Sequence, residues 1–174
     1  PLHESYEKFY SFSREQAMQA VSYYREYYEE KGMFENEVYP GIKQLLRDLT
    51  KQGVLCLVAT SKPEIYAKKI LDYYELSNYF YYIAGANMDG TRTDKAEVIS
   101  YALKQIPAEY NNKKVLMVGD RSHDIIGAKK NGIDCAGVLF GYGSREELEE
   151  AGADFVADSV EAVRNIILLD TAMN

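Results

Sequence analysis

The sequence predicts an α/β fold, a doubly wound parallel sheet preceded by a small all-helical segment. Short apolar runs alternate along most of the chain with stretches whose apolar residues recur at helical spacing. Glycines follow several of those stretches, where a left-handed stop is favoured. The first 37 residues, by contrast, hold no strand-like run. Strands separated by helices imply right-handed βαβ crossovers. A boundary is therefore expected near residue 38.

Residues 1–37 are expected to be helical. Ser13 followed three residues later by Gln16 has the spacing of a capping box. Behind it Ala17, Val21, Tyr24 and Tyr28 share one helix face, and Gly32 is a natural stop. Pro40-Gly41 turns the chain into helix 41–52, with Ile42, Leu45, Leu46 and Leu49 on one side and Gly53 at its end. The run 54–59 is apolar throughout, as a parallel strand buried on both faces should be. Pro63 suits the first turn of helix 63–74. A strand at 81–84 follows, then helix 95–106, on which Val98, Ile99, Ala102, Leu103 and Ile106 align. The series closes with strand 114–118, helix 122–131 ending at Gly132, strand 134–139, helix 144–151, strand 154–156 and helix 159–169.

The chain has 174 residues, of which 47% are hydrophobic and 27% charged. That balance is globular and excludes wholesale disorder. Twenty Lys+Arg against 27 Asp+Glu leave a net charge of -7, which repels phosphate backbones and argues against a nucleic-acid partner. The apolar runs are too short to span a bilayer and no signal peptide opens the chain, so no membrane partner and a cytoplasmic location are expected. Cys56 and Cys135 sit in strand-like runs with no metal or disulfide spacing, as buried thiols would. The 16 tyrosines read as half-buried packing with wet hydroxyls.

Ligands of open α/β sheets bind beyond the carboxyl ends of the strands, so the residues there are the candidates for chemistry. Thr60 and Ser61 follow the strand at 54–59, where a hydroxyl and the amides opening a helix can hold a phosphate oxygen. Equally, either hydroxyl can cap helix 63–74. Lys95 opens a helix, where a cation opposes the macrodipole unless it has an anionic partner. Its alternative is a surface lysine beside Asp94. Asp120 and Asp124 follow strand 114–118 at a spacing that lets the first carboxylate bind a hard cation and the second the ion or its waters. Otherwise Asp120 is a turn former and Asp124 a capping residue. His123 reads as a loop residue without a catalytic part.

Taken in order, Val58-Ala-Thr-Ser-Lys-Pro63, Asp94-Lys95 and Met117-Val-Gly-Asp-Arg-Ser-His-Asp124 resemble the second, third and fourth motifs of the haloacid dehalogenase-like (HAD) hydrolases, in their phosphoglycolate-phosphatase-like branch with a helical cap. Phe140-Gly-Tyr-Gly-Ser144 is similar to the loop after the next strand in those phosphatases. The resemblance implies a Rossmann-like core and hydrolysis of a small phosphate monoester, phosphoglycolate- or nucleotide-like, through an aspartyl-phosphate. It implies Mg2+ held at Asp120 and Asp124, a phosphate oxygen held by Thr60 and Ser61, and charge neutralised by Lys95. Residues 1–37 would be the C-terminal part of the cap and 38–174 the core. The expected partner is a small phosphorylated metabolite, the expected state a monomer or homodimer.

The pattern departs from that family at its first motif, Asp-x-Asp-Gly-Thr, which carries the nucleophile and the general acid/base. Nothing before Thr60 matches it, and Asp89-Gly90-Thr91 lies after the second-motif strand with Asn87 in the nucleophile's place. A core lacking its first strand is therefore expected. The 174 residues by themselves are expected to be inactive, although the parent protein is expected to be an enzyme. The alternative is a catalytically inactive module with a binding or regulatory role.

Overall fold

The computed structural model describes the backbone of residues 2–171 and the side chains of residues 2–168. The chain divides between Glu37 and Val38 into two compact units. The first comprises α1 (Leu2–Tyr10), α2 (Arg14–Glu30) and a 3-10 turn at Gly32–Phe34. Ser13 caps α2 reciprocally: Gln16 N donates to Ser13 Oγ at 3.2 Å, and Ser13 N donates to Gln16 Oε1 at 2.9 Å. Such a cap contributes about 1 kcal/mol. On the expected apolar face Ala17 and Val21 are buried and Tyr28 half-buried, while Tyr24 is exposed and stacks on Tyr28 at 5.4 Å between centroids.

The second unit alternates helix and strand: α3 (Ile42–Lys51), β1 (Leu57–Pro63), α4 (Glu64–Tyr73), β2 (Tyr82–Ala86), α5 (Lys95–Leu103), β3 (Leu116–Gly119), α6 (Ser122–Lys130), β4 (Asp134–Val138), α7 (Arg145–Glu150), β5 (Phe155–Ala157) and α8 (Val160–Thr171). All the pairings are parallel, as βαβ crossovers require. The strands do not form one ladder. Among the described residues β1 pairs with β2, and β3, β4 and β5 pair in that order, with no ladder joining β1 to β3.

Burial follows that break. β2 and β4 are almost wholly buried, yet no residue of β1 or β3 is, and Val118 is 37% exposed. The apolar run that was to be buried on both faces is thus only half covered, because one of its hydrogen-bonding edges has no neighbouring strand. The run also starts its ladder later than expected. Val54 donates its N–H to Leu49 O at 3.0 Å to close the end of α3, with Gly53 at φ +72 making the turn, so pairing begins at Leu57.

Helices cover the strands through three apolar clusters. Leu45 and Leu49 of α3 meet Val138, Ala157 and Val163. Ile125 and Ala128 of α6 pack with Cys135 and with Leu148 of α7. Val98 and Ala102 of α5 lie on Ala84, flanked by Leu57 and Ala59. Cys135 is fully buried and Cys56 partly so, both as free thiols whose pKa burial pushes up. Among the described residues no helix is long and apolar enough to cross a membrane.

Candidate active site

The carboxyl ends of β1 and β3 open on a cleft of about 520 Å3 lined by Thr60, Ser61, Lys95, Asp120 and Asp124. All five candidates named from the sequence meet there, from segments as far apart as residues 60 and 124. Thr93, Asp94, Arg121, His123 and Lys130 complete much of its wall.

Thr60 and Ser61 lie in an irregularity of β1. Ala59 pairs with Ala84 and Pro63 with Ala86, so residues 60–62 face the single residue Gly85 and must bulge. A Cβ on Gly85 would lie 2.6 Å from Glu64 N and 2.7 Å from Lys62 O, so the bulge needs glycine opposite it. Thr60 Oγ1 accepts from Lys62 N at 3.1 Å, which leaves its hydroxyl proton to donate. The N-cap of α4 is Pro63, so neither hydroxyl holds that position.

Lys95 is no surface lysine. Its Nζ lies 2.8 Å from Asp124 Oδ1 and donates to Ala59 O at 3.2 Å, and its side chain is 16% exposed. Asp94 is occupied otherwise, capping α5 by accepting from Ala96 N at 2.8 Å. The unfavourable placement of a cation at a helix N-terminus is thus answered by a carboxylate from another element.

Asp124 performs two tasks. Oδ1 pairs with Lys95, and Oδ2 accepts from Asp120 N and Arg121 N, each at 3.1 Å. Its capping role and its place at the cleft are therefore the same geometry. Gly119 makes it possible, since a Cβ there would lie 2.5 Å from Asp124 Oδ2 and closer still to Asp124 Cβ, far inside van der Waals contact. Asp120 Oδ2 accepts from Tyr142 N at 2.9 Å and its backbone oxygen from Gly143 N at 2.8 Å. The loop 140–144 thus wraps the aspartate, and a Cβ on Gly141 would lie 2.5 Å from Asp120 Oδ2. Gly141→Ala is expected to displace that carboxylate and weaken divalent-cation binding about tenfold, the scale of an outer-sphere change. Titration with Mg2+ by calorimetry checks it, and unchanged affinity would show that the loop yields instead.

Sequence reasoning overlooked Glu147. Its spacing from Ser144 signals a helix cap, and Ser144 Oγ does accept from Glu147 N at 3.2 Å. The carboxylate itself reaches back to the start of α6, accepting from Ser122 N at 2.8 Å and Arg121 Nε at 3.0 Å. Those bonds, the Ser122 amide foremost, hold its pKa down at about 2 from an ordinary 4.5. A depressed acid stabilises the fold above its unfolded pKa and loses that contribution as pH falls through its folded one. Glu147→Gln is therefore expected to flatten the fall in melting temperature between pH 4.5 and 2. An acid limb identical to the parent's would contradict this.

Among the described residues no three His, Cys, Asp or Glu side chains form a ready metal cluster. The cleft instead brings hard carboxylate oxygens together with cationic and hydroxyl donors, groups suited to a phosphate beside a divalent ion.

Comparison with known proteins points the same way. The profile described as haloacid dehalogenase-like hydrolase matches residues 1–138. A 5'-nucleotidase of Pseudomonas aeruginosa is 37% identical over 96% of the chain and 75% of its own length. The tyrosine-protein kinase PtkA of Mycobacterium tuberculosis is 38% identical over 88% of the chain, which spans 53% of that protein. The crystal structure of a candidate phosphatase from Clostridium difficile superposes with a TM-score of 0.89 at 48% identity, over 96% of this chain and 77% of that one.

Proposed function

We propose that this chain, which belongs to the haloacid dehalogenase-like hydrolases, carries the phosphate- and Mg2+-binding half of a phosphomonoesterase site. The observation that carries the reading is the Lys95–Asp124 pair beside Asp120, at the mouth of the break between β1 and β3. The donors suit Mg2+. Asp120 commits one oxygen to Tyr142 N and keeps the other, and Mg2+ asks for only one or two carboxylates, filling its shell with water and phosphate oxygens. Asp124, with each of its oxygens engaged, would support the ion from behind Asp120, by holding the Asp120 amide and, where its remaining lone pairs reach, the ion's waters. When bound, Mg2+ supplies charge neutralisation at the phosphoryl oxygens.

The chain's own groups do the rest. The Thr60 hydroxyl and Ser61 would orient a phosphate, and Lys95, held by Ala59 O and Asp124, would present positive charge to it. The carboxylates lining the cleft are Asp94, Asp120 and Asp124, and each already has a task. What membership of this family implies is that the nucleophile is an aspartate of the first motif, which nothing before Thr60 matches; the strand carrying it would lie between β1 and β3 and cover their half-exposed edges. Attack by that aspartate would form an acyl phosphate as the ester P–O bond breaks, the leaving oxygen taking a proton from the first motif's general acid/base. The same group would then take a proton from the water that hydrolyses the acyl phosphate to inorganic phosphate and the free carboxylate. Residues 1–37 would serve as part of a cap that chooses the substrate.

The gene product with Mg2+ is expected to release inorganic phosphate from a small monoester, a nucleoside 5'-monophosphate or phosphoglycolate first among them. No release from a panel containing both, together with sugar phosphates, overturns the hydrolase reading. ATP-dependent labelling of a tyrosine peptide without hydrolysis would reassign the site to a kinase.

A further inference from the structure

The cation Lys95 can act only where its helix is placed, and the loop 87–94 that places it is held by a residue outside the cleft. Arg92 donates from Nε to Gly85 O at 2.8 Å, and its Nη2 lies 3.3 Å from Glu64 Oε2. Its guanidinium carbon sits 3.7 Å from the centroid of the Tyr101 ring on α5. The backbone of Arg92 is left-handed, at φ +52, a conformation unfavourable for a non-glycine residue that persists where side-chain contacts impose it. Glu64 is the first residue of α4, separated from the bulge 60–62 only by Pro63. Its Oε2 also accepts from Gly85 N at 3.3 Å, and Oε1 holds Lys68 at 2.6 Å. Both partners of the pair are 19% exposed, so the bond is sheltered from the screening that makes surface pairs weak.

The pair therefore joins the two segments whose separation matters: the bulge that presents Thr60 and the loop that delivers Lys95. Gly85, gripped at both its N–H and its C=O, is the fixed point between them. We infer that Glu64 and Arg92 form a strut that sets the distance between the Thr60 bulge and Lys95, and so are positioning residues for phosphate in this cleft. The inference rests on the phosphate reading given above, since without a ligand bridging Thr60 and Lys95 the spacing would have no consequence. Arginine suits the task where lysine would not, because its planar fork bonds a carbonyl and a carboxylate while stacking on a ring.

The test measures inorganic phosphate affinity in the presence of Mg2+, by calorimetry, for the parent chain and for Lys95→Ala, Arg92→Gln, Glu64→Gln and the Glu64→Gln/Arg92→Gln double variant. Melting curves accompany each. Lys95→Ala is expected to weaken phosphate binding more than tenfold. Arg92→Gln and Glu64→Gln should each weaken it about five- to tenfold while still melting cooperatively, and the double variant should be no weaker than Arg92→Gln alone, the non-additivity of one shared interaction. Should Arg92→Gln fail to fold, Glu64→Gln, which keeps shape and an acceptor for Gly85 N, carries the test. If Lys95→Ala weakens binding but the strut variants merely melt earlier and bind as the parent does, the strut is structural only and the inference falls. Additive losses in the double variant would also overturn it. If the parent takes up no phosphate, or Lys95→Ala changes nothing, the phosphate reading fails and the inference with it.

Discussion

Asp124→Ala is expected to lower the stability of the second unit by about 3–5 kcal/mol, the range for removing one partner of a buried charged pair. The Asp124 side chain is 8% exposed and that of Lys95 16%, so the ammonium left behind has little water to turn to. Two backbone amides, of Asp120 and Arg121, lose their acceptor at the same stroke. Urea unfolding followed by circular dichroism measures the loss. A change below about 1 kcal/mol would show that Lys95 finds another partner, and would weaken the case that Asp124 holds it in place. Asp124→Asn should fall between the two, since the amide oxygen can still accept from the backbone while the charge is gone.

Asp120→Asn is expected to act on the ion and not on the fold. An amide oxygen can still accept from Tyr142 N, so loop 140–144 should stay wrapped and the melting temperature should move little. The charge that a divalent ion needs is lost, and Mg2+ affinity should fall at least about 100-fold, some 2.7 kcal/mol. Calorimetry with Mg2+ reads this directly. Unchanged affinity would mean that the ion is held elsewhere and would remove Asp120 from the assignment.

Much of this was legible in the chain itself. The capping box of α2, the order of helices and strands, and the glycine stops at Gly53 and Gly132 all depend on local preference and periodicity, which neighbouring residues decide among themselves. The candidate side chains could be found because they follow strands, and strand ends gather at one edge of a parallel sheet. What escaped was every feature made by an approach between distant segments. Nothing local marks Glu147 as an acceptor for the Ser122 amide, or Arg92 as the partner of Glu64.

The sequence by itself determined the parallel α/β class, the helices that precede residue 38 and the order Thr60, Lys95, Asp120, Asp124 along the chain. Only the tertiary structure decided between the readings each of those residues left open. It made Lys95 a sheltered cation instead of a surface one, and it joined the cap and the cleft in the single carboxylate of Asp124. Among the described residues it also divided the strands into two sheets, leaving β1 and β3 each half-exposed and paired on one side only. The reason is physical. A strand's character is written in its own side chains, but whether its amides and carbonyls are paired depends on what lies beside it.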